Sequence, residues 1–185
     1  NAAIEDTYKL KMAFHGGVLF DYVFTKDRKK ELSFESGLIF DSKGVKQELA
    51  EGGFQQNNSM TLYYVDIPVY FKFTKKLRSR DKYYAGIGPY FGAGLFGTIK
   101  NSYSEEGAGN SSSQSIKWGN NEVEDDLKRL DYGLAAKVGY LTYGGLNISA
   151  SYDYGFANVS AAGENPELKH RVIRLSLAYT LKLDD

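Results

Sequence analysis

The chain has 185 residues, a length that suits one domain, and carries 23 basic and 23 acidic side chains with no cysteine. The balanced charge gives no electrostatic case for nucleic acid, and the missing cysteine removes disulfides and thiolate metal sites. No apolar run approaches the roughly 18 residues that a membrane-crossing helix needs, while 15 Tyr, 11 Phe and 20 Gly against 3 Pro favour a β protein with tight bends. Asn1 opens no secretory leader, so the sequence reads as mature or trimmed.

In chain order, residues 1–7 are polar and read as the tail of a loop. From Tyr8 to about Thr25 the residues alternate. Leu10, Met12, Phe14, Val18, Phe20, Tyr22 and Phe24 fall on one face, with Lys9, Lys11, His15, Asp21 and Thr25 on the other. A period of 2 means a strand. A basic turn (Lys26, Arg28, Lys29, Lys30) leads to a strand over about 31–43. There Leu32, Phe34, Leu38 and Phe40 oppose Glu31, Ser33, Glu35, Asp41 and Lys43. A polar loop is expected over 44–60.

The strand at 61–74 sets Tyr63, Val65, Ile67, Val69, Phe71 and Phe73 against Tyr64, Asp66, Pro68, Tyr70 and Lys72. A second basic turn (Lys75, Lys76, Arg78, Arg80, Lys82, with Asp81) leads into the longest strand, 83–99. Its apolar face holds Tyr83, Ala85, Ile87, Pro89, Phe91, Ala93, Leu95 and Ile99. Its other face is glycine with Tyr84, Tyr90 and Phe96, which are expected to fold across the interior.

Residues 100–128 read as a long polar and acidic loop, with Glu105, Glu106, Glu122, Glu124, Asp125, Asp126 and Trp118. Strand 129–142 opposes Leu130, Tyr132, Leu134, Val138 and Tyr140 to Arg129, Asp131, Gly133 and Lys137. After the tight turn at 143–145, strand 146–157 opposes Ile148, Tyr152, Tyr154 and Phe156 to Asn147, Ser149, Ser151 and Asp153. A loop covers 158–169. The last strand, about 170–183, opposes Ile173, Leu175, Leu177, Tyr179, Leu181 and Leu183 to Arg174, Ser176, Thr180 and Lys182.

Strands that are greasy on one face and small or charged on the other specify an all-β, antiparallel, up-and-down transmembrane β-barrel. About 11 residues at ~3.3 Å, tilted ~40°, span roughly 28 Å, against the ~25 Å apolar band such barrels carry. Aromatics at both margins form the girdle: Tyr22, Phe24, Phe71, Phe73, Tyr83, Tyr140 and Tyr179 near the short-turn edge, and Phe40, Tyr63, Tyr132, Tyr154 and Phe156 near the long-loop edge. Short turns face the periplasm and long loops face outside. The expected extracellular loops are therefore 44–60, 100–128 and 158–169. Seven strands are visible where an even number is usual, so eight are expected, with the first lying before Asn1.

The pairing of Tyr64, Ile67 and Pro68 with Gly86, Gly88, Pro89 and Tyr90 resembles the "Y-x-x-I-P" and "G-x-G-P-Y" strands of a small outer-membrane β-barrel family of Bacteroidota. The stretches at 35–44 and 132–140 and the closing RVIRLSLAYTLKL are similar too. The resemblance implies an eight-stranded barrel in the outer membrane of a Gram-negative bacterium. One member serves type IX secretion, which makes a role in that machinery one expectation.

The inward side chains are the strongest chemical signal. Asp21, Glu35, Asp66 and Asp153 face Lys72, Lys137 and Arg174 in a space just wide enough for side chains. Buried charges must pair, so these are read as a plug of ion pairs, with Glu35, Lys72 and Asp21 close together. Asp41, Asp131 and His170 fall near the outer rim, but no serine–histidine–acid spacing accompanies them, and no enzyme is expected. Gly92, Gly94 and Gly97 match G-x-G-x-x-G inside a strand, where no dinucleotide is held. No cofactor and no metal are expected. Outer-membrane lipid is the expected surrounding. A protein partner or ligand is expected at the loops or the basic turns. The rival expectation is a soluble, lipocalin-like carrier, which requires an apolar lumen.

Overall fold

The structure, a computed structural model, describes residues 7–10, 13–51, 54–105, 108–121, 123–161 and 168–181. Among them nine strands make one sheet: β1 (Thr7–Leu10), β2 (His15–Lys26), β3 (Lys30–Glu51), β4 (Phe54–Lys76), β5 (Lys82–Glu105), β6 (Ala108–Ser115), β7 (Leu130–Leu141), β8 (Leu146–Gly155) and β9 (Arg171–Tyr179). Every pairing between strands is antiparallel. β1 and β2 lie end to end along one edge of β3, and β6 and β7 along one edge of β5, so the sheet is seven positions wide. Met12, Leu183, residues 1–6, Glu106 and Glu122 lie outside the described residues.

The alternation places the two faces. Phe71 is 45% exposed and Leu177 73%, while Glu35 is 4% exposed and Arg174 6%. The sheet curls around the charged face, because Arg174 of β9 bonds to Asp41 of β3, and Lys137 of β7 to Glu35 of β3. The apolar face is the outer wall, and the curled sheet is a barrel with polar contents.

β2 and β9 flank the sheet and do not pair with each other among the described residues. Leu19 and Val23 on the inner side of β2 are therefore exposed. The two edges still meet at one point, where His15 Nε2 and Ser176 Oγ are 2.8 Å apart.

Two expectations are corrected. Residues 44–60 are not an irregular loop: β3 and β4 stay paired from Ile39↔Asp66 out to Glu51↔Phe54. β5 and β6 form a second such hairpin within 100–128. The 24 residues of β5, at ~3.3 Å and a ~40° tilt, reach ~60 Å, well past a ~25 Å apolar band. Both faces of these ribbons beyond the band meet water, so alternation ends while backbone pairing continues.

The second correction concerns the faces of β5. Tyr63 pairs with Phe96 but Tyr64 with Gly94, which leaves Leu95 as a bulge. One inserted residue reverses the alternation beyond it. Phe96 thus turns outward and stacks on Tyr63, with ring centroids 4.5 Å apart. Ile99 turns inward and packs with Leu62 and Ile116. Gly97 becomes an inner position, where a Cβ would press on the Ile116 and Leu62 side chains. The expectation that Phe96 crosses the interior and Ile99 faces out is overturned.

The bulge is testable because the chain has no native cysteine. A fluorophore on Phe96→Cys should be quenched by brominated lipid, and one on Ile99→Cys should not. The reverse order would place the alternation without a bulge.

Candidate functional site

The lumen is built in tiers from strand positions two residues apart. At the short-turn end, Glu31 of β3 takes Lys76 at 2.9 Å and Lys82 at 2.7 Å. Two steps in, past Ser33, Glu35 binds Lys72 at 2.8 Å and Lys137 at 2.6 Å, and Lys72 also binds Asp21 at 2.6 Å. The phenol rings of Tyr70 and Tyr84 line this tier beside Lys137, and Tyr84 donates to Asn147 Oδ1 at 2.8 Å.

Arg174 occupies the next tier. Its guanidinium donates to Asp41 at 2.5 Å, to Asp66 at 2.7 Å and to Asp153. Lys43 follows, bonded to Asp66 at 3.0 Å and Asp131 at 3.1 Å, with its ammonium 4.4 Å from the Tyr64 ring centroid. Asp131 also accepts from Tyr90 Oη at 3.2 Å and meets His170 Nδ1 at 2.8 Å.

Above the charges lies an apolar cap. Leu62, Tyr64, Ile116 and Leu127 are buried together, with Met60, Ile99, Trp118 and Leu168 packed against them. Ile116, Trp118 and Leu127 come from the long connection, which folds back into the mouth. The indole of Trp118 lies on Gly94, where a Cβ would run into the ring, and edge-on to Tyr64 at 5.7 Å. Glycine at 94 is therefore a packing requirement. Tyr64 Oη and Trp118 Nε1 are buried at this mouth without a partner among the described residues.

The seven inward residues anticipated from the sequence all sit in this lumen. Glu35, Asp66, Lys72, Lys137, Asp153 and Arg174 are buried, and Asp21 is partly open beside the β2 edge. Asp131 and His170 come together, but Asp41 goes to Arg174 instead. Glu31, Lys43, Asp41, Asp131 and the cap were missed as members of the network. The alternation already put the first four on the inner face, and apolar Ile116 and Leu127 inside a polar loop hinted at the cap.

The twelve girdle residues lie on the outer wall. Nine are exposed, and Phe40, Tyr63 and Tyr140 are half-buried by neighbouring rings. Phe24, Phe34 and Phe71 cluster near the turns, with centroids 5.2–5.9 Å apart. Phe14, Phe40, Tyr63 and Phe96 cluster near the loops. Among the described residues no helix is long and apolar enough to cross a membrane; strands carry this wall.

The second basic turn and the turn at 143–145 are ordered around one acid. Asp81 accepts from Ser79 Oγ at 2.7 Å, Tyr140 Oη at 2.8 Å and the Tyr143 amide at 2.8 Å. These donors, Ser79 foremost, hold its carboxyl below the ordinary value of 3.8. A depressed folded value means that the linkage is fully present above the unfolded value and fades as pH falls through the folded one.

A family model described as "Outer membrane protein beta-barrel domain" matches residues 2–161. No curated protein and no solved structure matches the chain.

Arg174→Ala takes the paired cation from buried Asp41 and Asp153, leaves Asp66 with Lys43 alone, and should cost about 3–5 kcal/mol. Lys82→Gln, at the open end, should cost about 1 kcal/mol or less. Urea unfolding in lipid vesicles, followed by the emission of the single tryptophan, separates the two. For the turn, a carbon-detected NMR titration should place the Asp81 midpoint below 3.8, and Tyr140→Phe should move it upward. A wild-type midpoint at or above that value removes the proposed anchoring.

Proposed function

The chain belongs to the outer-membrane protein β-barrel domain family, and from that premise we propose a non-enzymatic envelope protein whose lumen is closed to ions. In this reading its loops and rims bind a partner or ligand. The observation that carries the closed lumen is the Arg174 tier. One guanidinium joins carboxylates from three other strands, and Lys43 continues the bridge to a fourth through Asp131. An ion crossing this tier would have to break buried pairs that nothing else can satisfy. The apolar cap above adds a dry layer that excludes water.

The orientation follows the usual rule of short periplasmic turns and long outer loops. Partner binding is supported at both ends. At the turns Lys76 and Lys82 are engaged by Glu31, and Arg80 lies against Tyr143. Lys26, Arg28, Lys29, Lys75 and Arg78 have no such partner among the described residues, which suits anionic headgroups or an acidic periplasmic protein. At the mouth, the unpartnered Tyr64 Oη and Trp118 Nε1 suit a ligand that accepts hydrogen bonds. A place in a type IX secretion machine is a narrower form of the same reading, with the turns as the docking face.

Two observations weigh against the other classes. His170 is committed to Asp131, and the Tyr64 ring packs edge-on to its ring at 5.2 Å. Among the described residues no serine bonds to the pair, so the arrangement suits a structural link better than hydrolysis. An apolar-lumen carrier would need the two faces exchanged.

Planar-bilayer recording decides the closed lumen. The intact protein should give no steady unitary current in molar salt, and Arg174→Ser should admit measurable current if it still inserts. Steady conductance by the unmodified protein would overturn the plug.

A further inference from the structure

A notch of about 610 Å³ opens on the outer wall at the loop end of β7 and β8. Asn120, Lys128, Arg129, Leu130, Tyr132 and Asn158 line it. Its two halves differ in chemistry. Leu130, Tyr132 and Leu134 share the outward face of β7 in steps of two, and Lys128, just before the strand, lines the same notch. Leu130 is 71% exposed on that face.

The cations are held but not neutralised. The Lys128 amide donates to Val159 O at 2.8 Å, which fixes the backbone, while its ammonium has no partner among the described residues. Arg129 donates one N–H to Gly94 O at 3.0 Å and lies over the Trp118 ring. A guanidinium has five donors, so most of its fork is still available. The nearby acids are turned into their own loop. Asp126 accepts from the Lys117 amide at 2.8 Å and Asp125 from the Asn121 amide at 2.9 Å. Among the described residues no carboxylate lines the notch.

We propose that this notch binds an outer-leaflet lipid whose headgroup carries a phosphomonoester. The phosphate sits between Lys128 and Arg129, and an acyl chain descends over Leu130 and Tyr132. Charge complementarity argues for the headgroup, since a doubly charged phosphate takes a lysine point charge and an arginine fork together. Continuity with the apolar wall argues for the chain. A free phosphate would use the cations and leave the floor uncovered, and a neutral lipid would do the opposite. Asn120 flanks the headgroup position with an amide group suited to its remaining oxygens.

The test is native mass spectrometry of the intact protein in detergent. It is titrated with dioleoyl phosphatidic acid, with dioleoylglycerol, and with inorganic phosphate as competitor. Phosphatidic acid should be retained in preference to dioleoylglycerol, and inorganic phosphate should compete only weakly. Lys128→Gln should weaken phosphatidic acid retention roughly fivefold, as the loss of one interfacial cation implies. Lys128→Gln with Arg129→Gln should weaken it further, and Leu130→Ser should weaken it without changing phosphate competition. Lys100→Gln, an exposed cation on β5 away from the notch, should leave it unchanged. The single Lys128 variant serves if the double variant fails to fold. Equal retention of the two lipids, or wild-type retention by Lys128→Gln, would overturn the site. Inorganic phosphate binding as tightly as phosphatidic acid would overturn the lipid.

Discussion

Arg174 of β9 bonds to Asp41 of β3, Asp66 of β4 and Asp153 of β8. β8 is the neighbour of β9, but β3 and β4 lie far from it in the order of the sheet, so the guanidinium can reach them only if the sheet curls with its charged face inside. The constraint works because an ion removed from water costs several kcal/mol unless it is paired. Each tier repeats the condition with its own partners: Glu31 with Lys76 and Lys82, Glu35 with Lys72 and Lys137, and Asp131 with Lys43 and His170. The ion pairs thus select the direction of curl more than they add net stability.

The outer wall is the other half of the same condition. In water its exposed Phe, Leu and Ile would be a heavy liability. In lipid they are simply solvated. The wall gains nothing from burial there, so the inner network and the backbone ladder carry the specificity of the fold. Glycines such as Gly94 let large side chains lie flat against the inner wall, and Trp118 uses that space to bring the long connection down over the mouth. The rims follow from the change of solvent. Aromatics mark the margins of the apolar band, and cations such as Lys128 and Arg171 begin where it ends, the latter over the Tyr154 ring at 3.6 Å.

Much of this was legible in the sequence because period-2 alternation is a local property. It located the strands within the band, their faces and the inward charges. Three features were not local. The bulge at Leu95 depends on how Tyr63 and Tyr64 pair with β5, and only its echo, a glycine at 97 on the supposed apolar face, shows in the chain. The ribbons beyond the band have water on both faces, so Lys46 and Ser59 follow no pattern although their backbones pair. The partners within the lumen depend on which strands face each other across it. Asp41 and His170 seemed natural neighbours of Asp131, yet Arg174 claims Asp41 from the far side.

Everything rests on which face meets lipid. Solid-state NMR with magnetisation transferred from acyl-chain protons to the protein in vesicles addresses this most directly. Transfer should build up quickly at Phe71, Ile87 and Leu177 and slowly at Glu35, Tyr90 and Arg174. Fast transfer to the second group, with the first shielded, would contradict the assignment of the two faces and the closed lumen with it.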